Sequence, residues 1–121
     1  MAKYVDGFVI PVPKNNLDEY KKIAEFAGSV WEEHGAFEYM DCVGDDLGAN
    51  RVIFKKVTGA KDHETVIFSW IVFESREHRD KVNAAVMADP HLVKLNQTQT
   101  QTQPFDYKRM LYGGFKTLVE L

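Results

Sequence analysis

The chain has 121 residues, 45% of them hydrophobic and 27% charged, with a formal net charge of −3. That length suits a single hydrophobic core, and the balance is that of an ordinary globular domain, which excludes disordered, collagenous and coiled-coil classes. A mildly acidic chain has no electrostatic reason to hold phosphate backbones, and no apolar run reaches the roughly 20 residues that cross a bilayer, so neither nucleic acid nor membrane is an expected partner.

Residues 4 to 11 read as a strand, with Tyr4, Asp6, Phe8 and Ile10 on one side and Val5, Gly7 and Val9 on the other. Pro11 and Pro13 are expected to end it, because proline cannot donate to a ladder. A helix follows. Asn15 or Asn16 can cap it, Asp18 and Glu19 suit its positive end, and Leu17, Tyr20, Ile23, Ala24, Ala27, Val30 and Trp31 recur as one apolar stripe. Gly35 stands where a left-handed helix-ending residue is expected.

Residues 36 to 43 alternate as a second strand, followed by the turn material Gly44-Asp45-Asp46 and Gly48-Ala49-Asn50. Val52, Ile53, Phe54 and Val57 read as a short strand extension, and residues 59 to 64 as a polar loop. Residues 65 to 73 are the strongest strand signal. Val66, Phe68, Trp70 and Val72 line one face and Ile67, Ser69, Ile71 and Phe73 the other, so both faces call for cover. Ser75 then caps a second helix carrying His78, Val82, Ala85 and Val86. Pro90 stops it or begins a short further helix through Leu92, Val93 and Leu95. The Gln-Thr run 97 to 103 is polar on both faces and reads as an exposed loop, with a polar edge strand as the alternative. A last strand is expected from about Lys108 to Val119, its Gly113-Gly114 pair marking a bulge, a bend or a close backbone contact.

Strand, helix, strand, strand, helix, strand is the ferredoxin-like βαββαβ plan: an α+β domain with a four-stranded antiparallel sheet and two main helices on one face. The other face would be bare in a monomer. Burying one large apolar side chain contributes about 1.5–3 kcal/mol, and a patch of several hundred Å² is rarely left in water. A second copy packed face to face would bury the same surface on both chains, so a homodimer is expected.

The blocks Tyr4-Val5-Asp6-Gly7-Phe8-Val9, Trp31-Glu32-Glu33-His34-Gly35-Ala36, Phe68-Ser69-Trp70-Ile71-Val72, Val86-Met87-Ala88-Asp89-Pro90 and Tyr112-Gly113-Gly114-Phe115 occur in that order. Together they resemble the bacterial DUF1428 family over nearly the whole chain. The resemblance implies a dimeric α+β barrel and no particular activity. The Gln-Thr run departs from the family pattern, which bears on that loop and not on the fold.

No phosphate loop and no His-Glu-x-x-His motif is present, and His34, His63, His78 and His91 lack zinc-ligand spacing, so neither metal nor cofactor is expected. His34, in the last turn before Gly35, suits the helix dipole; alternatively it is a general base at a cavity mouth. His78 reads as a half-exposed helix residue or as an imidazole facing the barrel. Asp6, in an apolar strand, must be paired, hydrogen-bonded or protonated, and Arg109 on the last strand is a candidate partner, as a structural ion pair or a ligand-binding pair. Trp70 is core or dimer filler, or a ring stacked on a ligand. The lone Cys42 makes no internal disulfide and reads as an inert thiol, and no signal peptide is evident, so a soluble cytoplasmic protein is expected. The function that follows is a dimeric barrel binding a small molecule without catalysis. Its alternative, by fold analogy, is a cofactor-independent monooxygenase-like or haem-degrading-like enzyme acting on a small planar substrate.

Overall fold

A computed structural model describes residues 2–99 and 105–121. Four strands, β1 (Tyr4–Pro13), β2 (Glu38–Val43), β3 (Glu64–Phe73) and β4 (Leu111–Lys116), form one antiparallel sheet in the order β2-β3-β1-β4. The helices are α1 (Leu17–Glu33), α2 (Arg51–Thr58), α3 (Arg76–Ala88) and α4 (Pro90–Gln99). The expected ferredoxin-like order is therefore present. α1, α3 and α4 cover the sheet face that carries Tyr4, Asp6, Phe8 and Ile10, and Ser75 caps α3 by accepting from the His78 amide at 3.1 Å.

Four local expectations are corrected. β1 runs through both prolines to Pro13. The Lys14 amide donates to His63 O, so by alternation the Pro11 and Pro13 nitrogens face the side that β4 leaves beyond Val9, where no donor is required. Residues 52 to 57 form helix α2 and not strand. Gly59, at φ +72°, closes it with its amide on Lys55 O, and the Thr58 hydroxyl bonds Phe54 O at 2.7 Å. Their β-branched side chains suggested strand, but Gly59 and the four-residue hydrogen-bond spacing decide for helix. β4 is shorter than expected and is preceded by a single 3-10 turn, Tyr107–Arg109. Its glycines lie in unbroken register, Gly7 opposite Gly113 and Asp6 opposite Gly114, so the pair marks close contact and not a bulge. A Cβ on Gly114 would collide with the Tyr4 phenol. Lastly, Gln97, Thr98 and Gln99 belong to α4 and are neither loop nor strand, whereas residues 100 to 103 of the run lie outside the described residues.

The core has two parts. Val30, Ala36, Ile71, Phe73, Val82, Val86 and Leu92 pack as one cluster; Ile10, Val12, Ile67 and Phe105 pack as the other. Phe73 is fully buried, and Gly28 lets α1 settle on the Tyr39 ring of β2. The opposite sheet face is a different surface. It carries Met40, Phe68, Trp70, Leu111 and Phe115, with Phe68 52% and Phe115 62% exposed. The apolar outer side of β3 thus has incomplete cover within one subunit.

Candidate functional site

Between the two core clusters the helices stand off the sheet and leave a cavity of about 580 Å³. It touches Ile71 and Leu92 of one cluster and Ile10 and Phe105 of the other. Its wall is mainly aromatic and aliphatic, from Phe8, Tyr20, Trp31, Tyr39, Phe105 and Tyr112. The period-two side of β1 brings Phe8 and Asp6 to the floor, and the apolar stripe of α1 brings Tyr20 and Trp31 to the roof.

One pole of the cavity is a buried polar network. Asp6 is 1% exposed. Its Oδ1 accepts from Arg79 Nη1 at 3.0 Å and its Oδ2 from Asn83 Nδ2 at 3.3 Å. The same Arg79 Nη1 donates to the Tyr112 hydroxyl at 3.0 Å, and the guanidinium lies over the Tyr4 ring, 4.9 Å from its centroid. Trp31 Nε1 donates to Asn83 Oδ1 at 2.9 Å, so Asn83 bridges the roof to the carboxylate. Tyr112 stacks on Phe8 with ring centroids 4.9 Å apart. Burial raises the Asp6 pKa above its ordinary value, against the opposing pull of the Asn83 hydrogen bond and the Arg79 charge.

The second pole lies across β3. Tyr20 donates its hydroxyl to Asp41 Oδ1 at 2.7 Å. Burial, then the Asp41 charge, push the Tyr20 and Tyr39 phenols above the usual tyrosine range, so both stay protonated donors at neutral pH. Asp6 pairs with Ile71 and Asp41 with Ser69, which sets the two carboxylates roughly 10–12 Å apart at their backbones. Chemically this is an apolar slot with a charged, hydrogen-bonded end and a phenol–carboxylate end.

Of the five residues singled out from sequence, only Asp6 lines the cavity. Its partner is Arg79 and not Arg109, a correction with a simple geometric reason: Arg109 precedes β4, and its guanidinium makes a two-pronged bond to Glu64 at 2.7 and 2.6 Å, at the far end of β1. That pairing holds the Glu64 pKa down to about 2. His34 ends α1 and sits with Nε2 2.8 Å from Asp89 Oδ2, tying that helix to the α3–α4 junction, where the His91 amide donates to Asp89 Oδ1 at 2.8 Å. His78 accepts the Glu74 amide on Nδ1 at 3.0 Å and packs its ring between Phe37 and Phe73. Trp70 lies on the opposite sheet face, its indole N–H on Glu38 at 3.1 Å. Among the described residues, no three metal-ligating side chains come together.

Sequence reasoning missed Arg79, Asn83 and Asp41. Arg79 and Asn83 are four apart on α3 and flank Val82 on its inward side, a helical spacing that could have marked them. Asp41 shares parity with Tyr39 and offered the same kind of signal as Asp6.

A ferredoxin-like sheet with helices on one face and a cavity beneath them gives the chain the subunit fold found in dimeric α+β barrels. Solved structures agree on the fold. A dimeric ferredoxin-like protein from an uncultured marine organism superposes with TM-score 0.65 at 9% identity, covering 100% of both chains. SnoaB from Streptomyces nogalater, a cofactor-independent oxygenase, superposes with TM-score 0.61 at 11% identity, covering 98% of this chain and 96% of its own. In sequence, the chain is 38% identical to the Escherichia coli K12 protein described as "Uncharacterized protein YbaA", over 98% of each. The profile of the family described as "Protein of unknown function (DUF1428)" matches residues 3–107, and the chain belongs to that family. The likeness read from the sequence blocks is thereby confirmed.

Proposed function

We propose that the protein is a cytoplasmic homodimer that binds a small, largely apolar molecule in the cavity between helices and sheet. One observation carries the binding reading: a cavity of about 580 Å³ walled by seven aromatic side chains and closed at one end by the Asp6–Arg79–Asn83–Tyr112 network. An apolar slot with a few convergent polar groups is the usual form of a ligand site, and rings recruit flat apolar surface while the network orients a polar substituent. The oxygenase-like alternative would draw on Asp6, Trp70, His34 and His78, of which only Asp6 faces the cavity, so the geometry favours binding. The homodimer is supported by the exposed Met40, Phe68, Leu111 and Phe115 of the outer sheet face and by the dimeric state of the marine ferredoxin-like protein. A single exposed thiol, Cys42, suits a reducing compartment.

Thermal shift against fractionated metabolite extract tests the binding reading. A fraction that raises Tm for the wild type should fail to do so for Tyr112→Ala and Asn83→Ala, both of which remove cavity wall. The reading fails where no fraction shifts Tm, or where the shift survives both substitutions.

A further inference from the structure

The two ends of the outer sheet face carry features that the cavity does not use. α2 turns Val52, which is 72% exposed, and also Ile53 and Val57 to solvent. Its eight residues include Arg51, Lys55 and Lys56 and no acid, with Lys55 held by Asp62 at 2.7 Å. At the other end, residues 117 to 121 leave β4 with Leu118, which is 96% exposed, and Val119 outward. This segment contains Glu120, 3.5 Å from Lys3, and no base.

These features cannot meet within one subunit. α2 leads into β3 at Glu64, opposite Pro13, whereas Thr117 donates its amide to Lys3 O beside the start of β1. The ten residues of β1 lie between, a span of about 30 Å.

We propose that, in the homodimer, residues 117 to 121 of each copy dock on α2 of the other. The inference rests on the homodimer reading above. Two sheets packed face to face can be related by a twofold axis along the strands or across them. An axis along the strands brings like ends together and sets two basic α2 helices side by side. An axis across the strands sets α2 against the partner's 117 to 121 segment. That arrangement matches charge, Arg51 and Lys56 against Glu120, and it matches apolar surface, Val52, Ile53 and Val57 against Leu118 and Val119. Twofold symmetry makes the contact twice and continues the apolar sheet face at both ends.

Disulfide trapping tests the arrangement in a Cys42→Ser background, using the full chain with Val52→Cys, Val119→Cys or both. Both positions are exposed, so the fold should persist, as circular dichroism would verify. A docked pair has an effective concentration in the millimolar range. At micromolar protein the double variant should therefore trap a covalent dimer roughly a hundredfold more completely than either single variant. Val52→Cys alone trapping as well as the double variant would mean like ends meet and would overturn the proposal. So would an untrapped double variant whose light-scattering mass is twice 13.9 kDa, which leaves the homodimer standing. A mass of 13.9 kDa for the folded wild type would overturn the homodimer and, with it, this arrangement.

Discussion

Arg79 on α3 and Asp6 on β1, seventy-three positions apart in the chain, meet at 3.0 Å beneath the helices, and Asp6 has almost no contact with water. The pair spans the helix layer and the sheet, so it positions the polar end of the cavity and ties the two layers together.

Arg79→Met should expose the cost of that arrangement. Removing one partner of a buried ion pair leaves an uncompensated charge and typically costs about 3–5 kcal/mol. The Asp6 pKa is already raised by burial, so the carboxyl is increasingly protonated as pH falls toward its ordinary value near 4. A protonated Asp6 has no need of a cation. Urea unfolding of Arg79→Met should therefore show a large loss at pH 7 that shrinks at pH 4. An equal loss at both values would mean that packing on Tyr4, and not charge, is what Arg79 supplies.

Glu64 and Arg109 should govern acid stability. Arg109 holds the Glu64 pKa down to about 2, from an ordinary value near 4.5, and Glu64 is buried. A lowered carboxylate pKa contributes stability that is complete above the unfolded value and lost as pH falls through the folded one. The window is thus from about pH 4.5 down to about 2, and the contribution at neutral pH is on the order of 3 kcal/mol. Glu64→Gln should be less stable than the wild type at pH 7 and should show a flatter profile across that window. Parallel profiles would rule out the ion pair as the acid-sensitive element.

Gly28→Ala should destabilise although alanine is the better helix former. A Cβ there would sit 2.6 Å from Cδ1 of Tyr39, a ring wedged between α1 and the sheet. Helix propensity favours the change by up to about 1 kcal/mol, whereas overpacking costs typically about 1–3 kcal/mol. The expected net result is a lower Tm as Tyr39 is displaced. A raised Tm would show that α1 lies further from β2 than the structure places it.

The sequence by itself determined the element order, the strand parities and the stripe on α1, because side-chain period and turn chemistry are local properties. Tyr4, Asp6, Phe8 and Ile10 face the helices as their alternation requires, and Ser75 caps α3 as its position predicts. Only the tertiary structure decided that β1 passes through its prolines once β4 has ended, and that Asp6 belongs to Arg79 while Arg109 belongs to Glu64. Those outcomes turn on which groups the packed layers bring within about 3 Å; local spacing can mark a residue as inward-facing, but strand register and helix placement choose its partner.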